Sequence, residues 1–353
     1  MSLKKLRRKI DEFDRSIVGL LNKRAGLAIE IAVNKKNLGK SVYCPDRESQ
    51  VLKRISGLNK GPLKPAALEA VYREIISSSL SLEKKLKIAY LGPEATFSHQ
   101  AALKRFGSQM SFLSCDTISD VFTEVEKEHA DYGVVPIENS IEGAVNHTLD
   151  MFMDSDLKIC AQVILNISHN LLADYPLKKI RRIYSNPMVF PQCRRWLQKN
   201  MPGVQLIEVP STTKASLIAS REKNSAAIAS SLAAKIYDLK IAAAGIEDSP
   251  HNITRFFVIG RTEVPATGRD KTSLMFSILD KVGALYDMLS AFRKYGVNLS
   301  KIESRPSKKK AWDYYFFLDL QGHRDEPKVR KALSELEEKC KFLKILGSYP
   351  VGE

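Results

Sequence analysis

Cations placed where a helix should be apolar are the first sign of chemistry in this sequence. Leu3, Leu6, Ile10, Phe13, Ile17, Leu20, Leu27, Ile31 and Leu38 trace a heptad seam, and Arg24 and Asn34 interrupt it. By pattern alone Arg24 reads either as a snorkelling or register-fixing residue, or as the cation of an anion pocket inside a helical bundle. Lys35 lies eleven residues further on, and at about 100° per residue it returns to nearly the same face, whereas Arg7 points elsewhere and could serve a neighbouring chain. Arg47-Glu48, and Ser79 with Glu83 one turn apart, could close such a pocket.

Polar clusters form a second set: Glu94 to Ser98, Glu138-Asn139-Ser140, Ser211-Thr212-Thr213 and Asn252-Ile253-Thr254-Arg255. Any one of them could simply cap a helix. Four on successive strand ends, with Arg255 as a cation, point to an anionic small molecule. The five cysteines stand singly without a CxxC, and the six histidines form no HxxxH or HxH pair. Neither a metal nor a disulfide framework is expected.

These residues need three different scaffolds. A helix from Leu3 to Leu38 would extend about 54 Å, more than one small domain can cover, so it needs a partner helix. Gly39 and Pro45 end it, a second helix is predicted from near Asp46 to Leu58, and a third from Pro65 to Glu83. Residues 1–85 thus make an all-α three-helix segment that is thin as a monomer and well suited to an intertwined dimer. Residues 86–264 alternate strand and helix signals, which predicts a two-lobed α/β domain with parallel strands around a cleft. CAQVILNISHNLLA reads there as one strand and IEGAVNHTLDMFM as one helix. Residues 271–350 read βαββαβ, an α+β ferredoxin-like order.

The quoted residues resemble known families. LRRKIDEFDRSIVGLLNKRAGLAIEIAVNKK, PDRE and REIISSSLSLE are similar to the all-helical chorismate mutases. That resemblance implies a cofactor-free Claisen rearrangement of chorismate to prephenate. Arg7 of a second subunit and Arg24 would hold the two carboxylates, with Arg47 beside Arg24 and Ser79 supporting a carboxylate. Lys35 would donate to the ether oxygen, and Glu48 would accept from the ring hydroxyl. Glu83 stands where some members carry glutamine, so to donate it would have to be protonated; Cys44 stands where aspartate is common.

YLGPEATFSHQAA, GVVPIENSIEGAVNHTLD, SNPMVFPQC and NITRFFVIG resemble prephenate dehydratases. The resemblance implies loss of carbon dioxide and the ring hydroxyl from prephenate to give phenylpyruvate. It carries over Thr254, Arg255 and Phe256 as catalytic and Asn139, Ser140, Gln192, Thr96 and Ser98 as substrate-binding, leaving the proton donor unassigned. Ala95, where glycine is common, and Asn186, where histidine is common, are expected to lie away from the chemistry. Residues 271–350 resemble the ACT amino-acid-binding regulatory domain, through Gly283-Ala284-Leu285-Tyr286 and Glu303-Ser304-Arg305-Pro306. Phenylalanine is the implied effector, with Asn298 and Leu299 also at its site, Gly283 permitting close approach and Glu303 taking the ammonium. Tyr286 stands where valine is usual. In this order the whole chain is similar to bifunctional chorismate mutase/prephenate dehydratases, whose middle domain is periplasmic-binding-protein-like.

Net charge is +15, and its excess is uneven: residues 1–85 hold 19 basic and 9 acidic residues, whereas 86–268 balance. Charge alone suggests nucleic acid or a membrane surface, but no recognition motif accompanies it and no apolar run approaches a membrane span. The start, MSLKKLRRKIDEFD, has no apolar signal core. A cytoplasmic homodimer or homotetramer acting on small acids is expected. A non-catalytic sensor with the same clamshell, and arogenate as dehydratase substrate, are the alternatives at this point.

Overall fold

The computed structural model describes residues 2–37, 43–278, 281–306 and 314–351. It divides into two compact units, Met1–Lys87 with Arg105–Ser111, and Ile88–Lys104 with Phe112–Glu353. The first unit holds α1 (Leu3–Asn37), α2 (Pro45–Leu58) and α3 (Pro65–Glu83). Leu38 and Gly39 lie outside the described residues. Pro45 and Pro65 open their helices at the first turn, where a missing N–H breaks no helical bond. The seam of α1 is uncovered within one chain, with Phe13 and Leu20 each 65% exposed.

In the second unit the first lobe comprises β1 (Lys87–Leu91), α4 (Phe97–Phe106), β2 (Ser111–Cys115), α5 (Ile118–Glu126), β3 (Tyr132–Asn139), β4 (Gly143–Ala144), α6 (Asn146–Asp154) and β5 (Lys158–Asn166). The second lobe follows with β6 (Asn170–Leu172), β7 (Arg182–Ser185), α7 (Val189–Gln192), α8 (Arg194–Asn200), β8 (Gln205–Glu208), α9 (Thr212–Ala219), β9 (Ser225–Ala229), α10 (Ser231–Ile236) and β10 (Ile241–Ala243). β11 (Ile253–Gly260) returns to the first lobe. Last come β12 (Asp270–Ser277), α11 (Ala284–Lys294), β13 (Leu299–Pro306), β14 (Tyr314–Gln321), α12 (Pro327–Lys339) and β15 (Phe342–Pro350), the βαββαβ order. The sheets run β2-β1-β3-β11-β5 with β4 on β3, then β10-β6-β9-β7-β8, then β13-β14-β12-β15.

Three sequence expectations need correction. The segment from Cys160 to Ala173 is two strands in two lobes, because β5 ends at Asn166 and β6 begins at Asn170 after the chain has crossed over. The segment from Ile141 to Met153 begins with a two-residue strand paired to β3, and Gly143 at φ 84° makes the turn before α6. The sheets are mixed rather than parallel: β1 pairs β3 in parallel, but returning β11 is antiparallel to both β3 and β5. A strand that re-enters a sheet after visiting another lobe is not bound to the βαβ crossover that imposes parallel order.

The β12-β15 sheet packs directly on the first lobe. Phe122, Phe152 and Phe257 share one buried cluster with Met275, Phe317, Leu346 and Tyr349. A Cβ at Gly347 would lie 2.3 Å from the backbone oxygen of Ile159, so the approach of β15 to β5 requires glycine there. Ala95 sits at φ 70° and is fully buried, with its N–H donating to His99 Nδ1. Its left-handed backbone strains a residue with a Cβ. Ala95→Gly is expected to stabilise the chain by about 1 kcal/mol, read as a rise of a few degrees in thermal midpoint; an unchanged or lower midpoint would count against strain at this turn.

Candidate active sites

A cleft of about 330 Å³ lies between the two lobes of the second unit. Thr96, Ser98, Asn139, Thr254 and Phe256 line it from the first-lobe side, and His169, Asn186, Gln192 and Thr212 from the other. One hydrogen-bonded chain crosses it. Gln192 donates through Nε2 to Glu142 (3.0 Å), so its Oε1 accepts from Asn252 Nδ2 and lies against His169 Nε2, both at 2.9 Å. Asn252 Oδ1 in turn accepts from Asn139 Nδ2, which donates also to Thr254 Oγ1, both at 2.8 Å. The direction of this chain is fixed twice. Glu142 Oε1 accepts from Gln192 Nε2, and Asn139 Oδ1 already accepts from the Ile141 and Glu142 N–H groups. Thr254 therefore accepts from the protein and meets a ligand as a donor.

His169 is buried, its Nε2 faces a carbonyl oxygen, and its Nδ1 finds no hydrogen-bond partner among the described residues. Burial lowers its pKa against the weaker raising effects of Gln192 and nearby carboxylates, which favours the neutral ring. Among the described residues no lysine or arginine lines the cleft. Positive potential comes instead from helix starts: Thr96 caps the first turn of α4 by accepting from His99 N, and Ser211 caps α9 by accepting from Lys214 N.

Arg255 is thus a correction to the sequence reading. On β11 the side chains alternate, so Thr254 and Phe256 face the cleft and Arg255 turns to the opposite face of the sheet. There it is buried, donating to Gln162 Oε1 (3.0 Å), Asp319 Oδ2 (2.5 Å) on β14 and Tyr349 Oη (2.9 Å) on β15. Burial acts against its charge, but the Tyr349 and Asp319 oxygens outweigh it and raise its pKa above the ordinary range. Ser140 also leaves the cleft: its hydroxyl donates to His251 O and accepts from Ile253 N, tying the β3 end to β11. Asn186, expected away from the chemistry, lines the cleft, although its amide is held by Pro210 O and Met188 N.

In the βαββαβ segment, Gly283 caps α11 at φ 76°, followed by buried Ala284 and half-buried Leu285. Asn298 is exposed, with Leu299, Glu303 and Ser304 along edge strand β13. Arg305 is directed instead to Asp150 on α6 (3.0 Å), and Lys301 to Glu138 (3.1 Å). β13 therefore contacts the first lobe on one face and presents Ile302 to solvent on the other.

In the helical unit, Arg24 Nη1 donates to Ser79 Oγ at 2.6 Å, joining α1 to α3. A groove of about 670 Å³ beside Ser79 is lined mainly by Leu21, Ala25, Val71, Ile75 and Leu82. Lys35 is half-buried on α1, Glu83 is half-buried at the end of α3, and Arg47 is exposed with Gln50 in reach. Arg7 is exposed, about 25 Å along α1 from Arg24, too far to join it within one chain. Glu48 is buried against Arg105.

Sequence reasoning missed His169, Glu142 and Asn252. Asn252 stood in a recognised polar cluster, but His169 lay inside an expected strand and Glu142 inside an expected helix, and neither position signals a cleft.

The two lobes and their cleft define an α/β small-molecule enzyme with a ferredoxin-like sheet behind it. Residues 88–264 match the family model of prephenate dehydratase, 6–84 that of chorismate mutase type II and 272–338 the ACT domain. The chain is 53% identical over 353 residues to the bifunctional chorismate mutase/prephenate dehydratase of Aquifex aeolicus, covering 99% of this chain and 98% of that one. It is 46% identical over 355 residues to the protein of the same description from Pseudomonas aeruginosa, covering 99% and 97%. The prephenate dehydratase from Arthrobacter aurescens, solved in complex with L-Phe, matches at TM-score 0.70 and 31% identity, covering 75% of this chain and 90% of that one. The chain belongs to the bifunctional chorismate mutase/prephenate dehydratase family.

Asp319→Asn is expected to destabilise the second unit by about 3 kcal/mol, because it leaves the buried Arg255 charge without its closest counter-ion. Denaturant unfolding checks this, and a loss below about 1 kcal/mol would show that Tyr349 and Glu138 suffice. A second expectation concerns acid. His99 and His169 both have pKa values lowered by burial, so the unfolded chain binds more protons than the folded chain below the ordinary histidine value of 6.5. Stability should be complete above that value and fall as pH drops below it, and His169→Gln should flatten the fall in equilibrium unfolding at pH 5 to 7.

Proposed function

We propose that the helical unit rearranges chorismate to prephenate and that the cleft converts prephenate to phenylpyruvate, carbon dioxide and water. The observation that carries the second reaction is the oriented chain ending on Thr254. Its hydroxyl is available to donate to the ring hydroxyl that departs, in a cleft that Phe97, Pro136, Val145 and Phe256 make largely apolar. A carboxylate brought into such surroundings loses solvation, which favours its departure as carbon dioxide while the ring becomes aromatic. The N-termini of α4 and α9 suit the carboxylate that stays. We assign the proton for the departing hydroxyl to His169, since a bound dianion offsets the burial that otherwise keeps the ring neutral.

In the helical unit Arg24 and Ser79 form a ready anion contact, and a pericyclic step asks chiefly for conformational restraint and charge on the ether oxygen. Lys35, Arg47, Glu48 and Glu83 take the roles the family resemblance implies. Arg7 acts in the site of a second copy, which also covers the exposed seam of α1. Phenylalanine binds between Gly283 to Leu285 and Glu303 to Ser304 at an edge completed by another copy, and inhibits. Arg305 serves this site through Asp150 rather than by touching the effector.

Purified protein given chorismate should form prephenate and then phenylpyruvate, with the second step slowed by phenylalanine. Thr254→Val should lower dehydratase kcat/KM at least about a hundredfold, and His169→Gln at least about tenfold, with mutase turnover retained. Dehydratase rates near those of the parent in Thr254→Val would remove the cleft as the site.

A further inference from the structure

The family match of the mutase ends at residue 84, yet the helical unit includes residues 105–111, which lie inside the dehydratase match. This segment is closely seated. Ser108 donates through its hydroxyl to Glu74 Oε2 (2.7 Å), and Gln109 N donates to Ser77 Oγ (3.3 Å). Gly107 has φ 71°, and a Cβ there would come within 2.4 Å of Ser77 Cβ. Both the backbone and the contact with α3 call for glycine.

What the segment delivers is a guanidinium. Arg105 Nη2 lies 3.0 Å from Glu48 Oε2, and both side chains are largely buried, at 16% and 6% exposed. Its Nε donates to the hydroxyl of Tyr43, whose ring lies 5.5 Å from the guanidinium and 5.0 Å from Phe106. Tyr43 stands two residues before Pro45, the first residue of α2, and Glu48 is in the first turn. One cation thus grips α2 at its entry and at Glu48.

We propose that Arg105 is a positioning residue of the mutase site, orienting Glu48 to accept the ring hydroxyl of a chorismate-class substrate. The proposal rests on the mutase reading and on the role given there to Glu48. A carboxylate buried without a cation is costly and would turn toward whichever positive group is nearest, here including those needed by the substrate's own carboxylates. Paired with Arg105, Glu48 is satisfied on one oxygen and retains lone pairs for a hydroxyl donor. Arg105 itself touches no substrate.

The test uses the full chain and four variants: Arg105→Gln, Arg105→Lys, Glu48→Gln and the Arg105→Gln/Glu48→Gln double variant, with dehydratase turnover of prephenate reporting that each is folded. Arg105→Gln should lower mutase kcat/KM about tenfold, and Arg105→Lys should recover part of it. In the Glu48→Gln background Arg105→Gln should add less than about twofold, since both act through one interaction. Tyr43→Phe, which spares the ion pair, should keep mutase turnover near that of the parent. Additive losses in the double variant, a loss in Tyr43→Phe equal to that in Arg105→Gln, or full mutase activity in Arg105→Gln would each overturn the proposal. A parent chain that leaves chorismate unchanged would overturn the underlying mutase reading instead, and is seen before any variant is made.

Discussion

A β-strand presents neighbouring side chains to opposite faces, and β11 uses that alternation to join the cleft to the ferredoxin-like sheet behind it. Thr254 and Phe256 face the cleft, and Arg255 between them is buried behind the sheet against Asp319 and Tyr349. A buried guanidinium demands close counter-charges and a complete set of acceptors. Here the acceptors come from β5, β14 and β15, so the ferredoxin-like sheet must stay packed on the first lobe for β11 to hold its register. Lys301 on Glu138, Arg305 on Asp150 and Gly347 on Ile159 reinforce that packing. Any state of the ACT-type sheet that shifts β14 or β15 acts on the back of the strand that carries Thr254, a short physical path for effector coupling.

The cleft and the helical unit handle anions differently. The cleft offers helix starts, hydroxyls and a histidine whose pKa burial lowers, and among the described residues no lysine or arginine lines it. The helical unit carries most of the chain's excess positive charge, and its proposed anion binding falls to arginine and lysine. Release of carbon dioxide is helped by poor solvation of the carboxylate that leaves, and a permanently charged lysine or arginine beside that carboxylate would work against this. A rearrangement that retains both carboxylates has no such conflict, and fixed cations then help to hold one conformer.

Much of the architecture was legible in the residues. The heptad seam, the prolines that open α2 and α3, and the strand-helix alternation all follow from local periodicity, and the structure has helices and strands at those places. The errors fell where local signals are silent. The crossover at Ile167 to His169 lies within a segment that reads as one strand, and the antiparallel return of β11 depends on where the chain goes after leaving the second lobe. At the cleft, the Asn139 and Thr254 clusters stood out as polar strand ends. His169 and Glu142 did not, because nothing within a few residues of either marks it as facing a cavity.

The sequence by itself determined the kinds of element, their order, the uncovered apolar face of α1 and the residue types on hand for anion chemistry, since each depends on neighbours close along the chain. Only the tertiary structure decided which of those residues meet. Arg255 went to Asp319, Arg305 to Asp150 and Arg105 to Glu48, pairings between residues 64, 155 and 57 positions apart. Long-range electrostatic choice of this kind is set by which faces are buried together, because a charge removed from water takes whichever counter-charge the packing brings within reach.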